Sequence, residues 1–159
     1  MAGLINKVVS GGQTGVDRAA LDVARTLGMV HGGWCPSGRL AEDGIIPPEY
    51  PLHETPSAEY AQRTRWNVRD SDGTLVLTMG RSKLGTALTI DVATRLNKPY
   101  LVVDLINQPC ADVVRRWARD HHIRILNVAG PRESTSPGIY TRAKQFLSAV
   151  FAANSHPAS

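Results

Sequence analysis

Three apolar runs constrain this 159-residue chain more than any other feature: 73–79 (GTLVLTM), 100–104 (YLVVD) and 123–129 (IRILNVA). Each is apolar nearly throughout instead of alternating with polar residues, the pattern of a strand buried on both faces of a parallel sheet. Each is followed by a stretch with helical spacing, over 86–96, 111–121 and 139–153 respectively. A shorter run, 4–9, precedes a fourth such stretch, 16–27, in which Val16, Ala19, Ala20, Val23, Ala24 and Leu27 form one apolar face. A further strand is expected over 30–35. A helix is expected over 58–71, capped by Ser57, with Arg63, Arg65, Asn67 and Arg69 on its polar side. Strands alternating with helices specify an α/β fold, doubly wound, with a mainly parallel sheet and helices on both faces. The length suits one domain, expected over 1–153, with 154–159 as a frayed tail.

In such a sheet, ligands bind beyond the carboxyl ends of the strands, where strand order reverses. Four loops follow strands and are expected at that edge: 11–17, 36–44, 80–86 and 130–138. The first contains Gly11, Gly12, Gln13, Thr14 and Gly15 and joins a strand to a helix. Glycines there permit close backbone approach, and helix N–H groups attract anions. Its G-G-x-x-G spacing is neither a Walker A loop nor G-x-G-x-x-G, and a tight turn without a ligand satisfies it as well. Arg18, Arg39 and Arg132 lie in or beside these loops as candidate anion grips, with surface solvation as the alternative for each. Gln13, Thr14, Thr86, Ser134 and Ser136 add neutral donors, and Gly85 closes the third loop. Asp17 fits a helix cap that holds the first loop, or a group of the site itself. Glu42 and Asp43 offer an acid and a base, or local caps.

The net charge of +4 favours anionic partners. No basic run or aromatic interleaving points to nucleic acid. No apolar stretch approaches the ~20 residues of a membrane span. The two cysteines, Cys35 and Cys110, make no disulfide framework, and cytoplasm is the expected compartment. Cys35 suits a buried thiol or a contact to a soft metal centre. His121 and His122 end a helix, and His31 and His53 have no partner at ligand spacing, so no metal set is assigned. No Ser/His/Asp constellation is present either. Backbone amides, hydroxyls and a few arginines suit a phosphate, molybdate or other tetrahedral oxyanion.

Four motifs carry a family resemblance: 10–21 (SGGQTGVDRAAL), 33–44 (GWCPSGRLAEDG), 63–72 (RTRWNVRDSD) and 130–140 (GPRESTSPGIY). Taken in order across nearly the whole chain, they resemble the molybdenum carrier family. That family is the circularly permuted YpsA-like branch of the SLOG superfamily, whose relatives include the lysine-decarboxylase-like (LOG) proteins. The resemblance implies a Rossmann-like fold, a homo-oligomer (dimer or tetramer) and binding of molybdenum cofactor (molybdopterin), with molybdoenzymes as recipients. LOG phosphoribohydrolases carry P-G-G-x-G-T-x-x-E, whose glutamate and an upstream arginine serve catalysis. Here 83–89 is KLGTALT, which keeps Gly85 and Thr86 but places Thr89 where the glutamate would stand. A hydroxyl cannot replace that carboxylate as general acid or base.

The leading expectation is therefore a non-enzymatic carrier that holds molybdenum cofactor, or another phosphate- or oxyanion-bearing ligand, at the edge of the sheet, with no catalytic residue assigned. Two alternatives stand beside it. One is a nucleotide or sugar-phosphate processing enzyme using Asp17, Glu42 or Asp43. The other is a nucleotide-sensing module without turnover.

Overall fold

Val8 and Val9, flanked by the buried Ile5, form strand β1 (Lys7–Val9), and the alanine-rich stretch behind it winds into helix α1 (Val16–Thr26). A computed structural model of the chain describes residues 5–80 and 86–152. Most of the expected loop 80–86, including Gly85, lies outside the described residues, as do position 153 and the tail 154–159. After α1 come β2 (Val30–Gly32), β3 (Trp34–Cys35), β4 (Leu40–Ala41), β5 (Gly44–Ile45) and β6 (His53–Glu54). Then follow α2 (Tyr60–Arg69), β7 (Gly73–Thr78), α3 (Thr86–Arg95), β8 (Tyr100–Asp104), a 3-10 turn (Leu105–Asn107), α4 (Ala111–Asp120), β9 (Ile125–Ala129) and α5 (Ile139–Phe151).

The main sheet runs β2-β1-β9-β7-β8, and every neighbouring pair is parallel. This is the doubly wound α/β architecture that the apolar runs require. α1, α4 and α5 cover one face, where Ala20, Val23, Val114, Phe146 and Leu147 pack with Leu75, Leu77, Val103, Leu126 and Val128. A smaller cluster, Val68, Val92 and Ala93, joins α2 to α3 on the other side. Strand β7 lies inside the sheet, between β9 and β8, and is buried throughout. Strand β8, expected to be buried on both faces, lies at the sheet edge. Leu101 and Val103 face the main core, but Tyr100 and Val102 remain 39% and 47% exposed.

The expected strand over 30–35 breaks at Gly33. Its φ is +129°, and a Cβ there would lie 2.3 Å from the Ser10 carbonyl oxygen, so only glycine passes. Beyond it, β3 leaves the main sheet and pairs with β6. Helix α2 starts at Tyr60. Ser57 Oγ accepts the Glu59 N–H in the turn before it, so Ser57 is not the residue at the helix boundary. Asn67 is not on a solvated face either. Its Oδ1 accepts the Trp34 N–H at 2.8 Å and its Nδ2 donates to the Trp34 carbonyl at 2.9 Å, so the side chain substitutes for a neighbouring strand.

The proline- and glycine-broken segment 36–48 contains the β4–β5 hairpin, organised from within by Arg39. Its Nε donates to the Ile46 carbonyl, Nη1 to Leu52, and Nη2 to Pro47 and Tyr50, at 2.8–3.2 Å. The expected anion grip is thus spent on four carbonyls, which a planar fork of donors can gather and a ligand would have to displace. Among the described residues no helix is long and apolar enough to cross a membrane.

Two measurements test these local assignments. Replacing Arg39 by Met orphans the four carbonyls and is expected to lower unfolding free energy in urea by about 2 kcal/mol or more. Arg39→Lys, a point charge without the fork, should recover less than half of that loss. At Gly15, where φ is +76°, an added Cβ would meet the Pro131 oxygen at 2.4 Å and the Glu133 nitrogen at 2.8 Å. Gly15→Ala is therefore expected to cost about 1–3 kcal/mol on the same scale. An unchanged urea midpoint would contradict the packing of the loops after β1 and β9.

Candidate functional site

The chain leaves β9 for α5, which packs on α1 and α4, and leaves β7 for α3, which packs on α2. Adjacent strands thus send their connections to opposite faces, and a crevice of about 320 Å³ opens at that divergence. Gln13 and Asp17 reach it from the loop after β1 and the start of α1. Ala129, Gly130, Pro131, Arg132 and Thr135 come from the end of β9 and its loop, Tyr60, Arg63 and Thr64 from α2, and Leu88 and Thr89 from α3.

Asp17 is the electrostatic centre. It is 2% exposed, and its Oδ2 accepts the Gln13 backbone N–H at 3.2 Å and Arg63 Nη1 at 3.3 Å. Burial pushes the carboxyl above its ordinary value of 3.8, against the pull of Arg63 and the Gln13 N–H. Asp17 holds the first loop through the Gln13 N–H and lines the crevice, but it does not cap α1 as expected: Gly15 stands at the N-cap and no side-chain cap bond is made. Two guanidinium groups lie against the Tyr60 ring in the same wall, with Arg132 Cζ 4.4 Å and Arg63 Cζ 5.6 Å from the ring centroid. Among the described residues, Arg132 makes no ion pair and no side-chain hydrogen bond. Gln13 donates through Nε2 to the Leu40 carbonyl at 3.0 Å, while its Oε1 and Arg63 Nε are buried without a partner.

The glycines of the first loop are filled by the protein itself. A Cβ on Gly11 would lie 2.0 Å from Arg63 Nη1, and one on Gly12 would lie 2.4 Å from Leu52 Cδ1. Gly15 lies against the backbone of 131–133. The close approach that glycine permits is thus made by an arginine, a leucine and a neighbouring loop.

Several expected ligand donors are likewise turned inward. Arg18 donates to the Gly12 carbonyl through Nε and Nη2, at 3.1 and 3.0 Å, and pairs with Asp43 at 3.0 Å. Thr14 Oγ1 and Ser134 Oγ both donate to the Glu42 carboxylate, and the Ser134 N–H reaches it at 3.2 Å. Those bonds, Ser134 first and Thr14 second, hold the Glu42 carboxyl below its ordinary value. Glu42 and Asp43 therefore act as latches that draw the hairpin onto the other two loops. Ser136 is buried in the turn after Arg132, its N–H donating to the Arg132 carbonyl at 3.0 Å. Thr86 begins α3 and is buried without lining the crevice.

Of the expected set, the crevice itself gathers Gln13, Asp17 and Arg132. Arg63 and Tyr60 are the residues that reasoning from loops alone does not reach. The available signal was register: Arg63 stands one helical turn before the buried Asn67, so it shares the inward side of α2. Cys35 is fully buried, and burial pushes its thiol up. Among the described residues no group of three His, Cys, Asp or Glu side chains converges to hold a metal ion.

A family model described as the circularly permutated YpsA SLOG family matches residues 8–151. No curated protein matches the chain. Among solved structures, the chain is similar to the crystal structure, at 1.45 Å resolution, of a putative molybdenum carrier protein from Syntrophus aciditrophicus SB. The TM-score is 0.90 and the identity 44%, over 94% of this chain and 97% of that one. With the family match running from within β1 to the end of α5, the chain belongs to the circularly permuted YpsA family of the SLOG superfamily.

Proposed function

We propose that this protein is a carrier that holds a molybdenum-bearing anion in the crevice, gripped by Arg132 and Arg63. One observation carries the proposal: two guanidinium groups lie against the Tyr60 ring at a cleft lined by one carboxylate among the described residues, and Arg132 has its donors uncommitted. Guanidinium forks suit tetrahedral oxyanions and phosphates, which covers both free molybdate and a phosphorylated molybdenum cofactor. The similar protein of known structure is named as a molybdenum carrier, which supports molybdenum as the cargo here. The donor set fits such an anion; when bound, a pterin cofactor would supply the sulfur ligation of the metal. Thr89, buried in the crevice wall, offers no acid–base group, in keeping with holding rather than turnover.

A second, enzymatic reading is favoured by the buried Asp17, a carboxyl raised by burial inside a cleft, as suits a general acid. Hydrolysis of a nucleoside monophosphate by the wild type, lost in Asp17→Asn, would decide for it.

The carrier proposal is tested by elemental analysis of protein purified from molybdenum-replete cells. Arg132→Gln is expected to retain about tenfold less molybdenum at an unchanged thermal midpoint; undiminished retention refutes the site. pH gives an independent check. Asp17 titrates above 3.8, and a bound anion nearby favours its protonated form, so binding takes up a proton. Affinity for molybdate should therefore rise as pH is lowered toward the raised titration of Asp17, and Asp17→Asn should flatten that slope. A slope of opposite sign would place the anion elsewhere.

A further inference from the structure

Outside the crevice, one carboxylate joins two separate segments of the chain. Asp22 stands one helical turn after Arg18 on α1 and uses both of its oxygens. Oδ1 accepts the Tyr50 hydroxyl at 2.6 Å, and Oδ2 accepts the Tyr140 hydroxyl. Burial, and then the bond to Asp22, pushes the Tyr50 hydroxyl up to about 12 and raises Tyr140 in the same way. Both therefore remain donors across the neutral range. Tyr50 lies just beyond the β4–β5 hairpin, and Tyr140 is the second residue of α5, directly after the loop that carries Arg132.

Each segment is stapled from within by a charged side chain. Arg39 gathers the carbonyls of Ile46, Pro47, Tyr50 and Leu52. Glu133, next to Arg132, accepts the Gly138 N–H at 2.6 Å and the Tyr140 N–H at 2.9 Å, and the Arg132 carbonyl accepts the Ser136 N–H at 3.0 Å. Each segment therefore behaves as a unit. A single contact between two units would leave a pivot, but here there are two. Glu42 takes Ser134 directly, and Asp22 takes the two tyrosines together. Arg18 ties the hairpin side to the same helix, pairing with Asp43 at 3.0 Å and placing its Cζ 5.4 Å from the Tyr50 ring centroid. Of the two units, only the loop after β9 lines the crevice, with Arg132 among its residues.

We infer that Asp22 is a positioning residue for the anion grip: through Tyr50 and Tyr140 it braces the Arg132 loop against the hairpin segment, so that a segment outside the crevice sets the affinity within it. This rests on Arg132 holding the anion, as proposed above. The brace works by orientation. Arg132 sits at one end of a loop whose other end, Tyr140, is pinned to α1, and Glu133 carries any displacement of Tyr140 back to the residue beside Arg132. Loosening Tyr50 frees the hairpin side of the same brace, and the guanidinium then samples positions in which its fork no longer meets the anion.

Binding is read in two ways on the full chain, by titration with sodium molybdate and by elemental analysis of molybdenum retained from molybdenum-replete cells, and variants are compared in whichever readout the wild type gives. Asp22→Ala, Tyr50→Phe and Tyr140→Phe are each expected to weaken binding about threefold or more. Amide exchange should quicken at Ser136, Gly138 and Tyr140 and stay unchanged in α4. Tyr50→Phe is the decisive variant, since it removes one hydroxyl from a residue that does not line the crevice. Made on Asp22→Ala, it should weaken binding no further, because the acceptor through which it acts is gone. A merely structural role predicts lower urea midpoints with unchanged affinity. That result overturns the inference and leaves the carrier proposal standing, as does a Tyr50→Phe loss that persists in full on Asp22→Ala. No binding by the wild type in either readout overturns both. Should Asp22→Ala fail to fold, the two Tyr→Phe variants carry the test: together they should weaken binding by less than the product of their separate effects, and a full product overturns the inference.

Discussion

The ion pair between Asp17 and Arg63 is the interaction on which the ligand edge of this protein depends. An ionised carboxylate that is almost wholly buried persists only with a partner and with hydrogen bonds to its lone pairs. Arg63 supplies the charge and the Gln13 N–H supplies a hydrogen bond, both on the same oxygen. The pair joins residues 46 positions apart, and so ties the loop after β1 to a helix on the opposite face of the sheet. Removing one partner of such a pair typically costs about 3–5 kcal/mol, because the other is left charged and buried. The crevice walls, the orientation of Gln13 and the start of α1 all follow from that constraint.

Around it, the protein answers many of its own anion-binding groups with its own carboxylates. Glu42 occupies the donors of Thr14 and Ser134, and Asp43 occupies Arg18. These contacts give the β4–β5 hairpin, whose exposed Leu40 and Ile45 contribute little burial, an electrostatic reason to lie where it does. They also sharpen selectivity by subtraction. Donors satisfied internally do not attract stray anions, and what remains open is a small set with a defined geometry.

The fold was legible because burial on both faces writes itself into the strand sequences. Strand β7 is apolar nearly throughout and lies inside the sheet, and the turns of the alternating pattern fall near the observed boundaries. Strand β8 misleads for a physical reason: its run resembles that of β7, but apolar composition does not distinguish a central strand from an edge that is covered on one face only. The site was legible as an edge and much less so as a residue set. Loops after strands had to converge, and 11–17, 36–44 and 130–138 do meet through Thr14, Glu42 and Ser134. What sequence could not show is where each donor is spent. Arg39, Arg18 and Arg132 look alike as letters. Only the fold puts four carbonyls around the first, a carboxylate beside the second, and an aromatic ring with open space around the third.

The slot above Gly11 changes what kind of unit the glycine loop is. In many nucleotide-binding proteins a glycine-rich turn is portable, since its backbone alone makes the cradle and any strand–helix junction can present it. Here the space freed by the missing side chain belongs to an arginine from α2. Transplanted without that helix, the loop would carry a cavity shaped for a guanidinium and a carboxylate with nothing to neutralise it. The two segments are one part made in two places on the chain, and they can be exchanged between relatives only together.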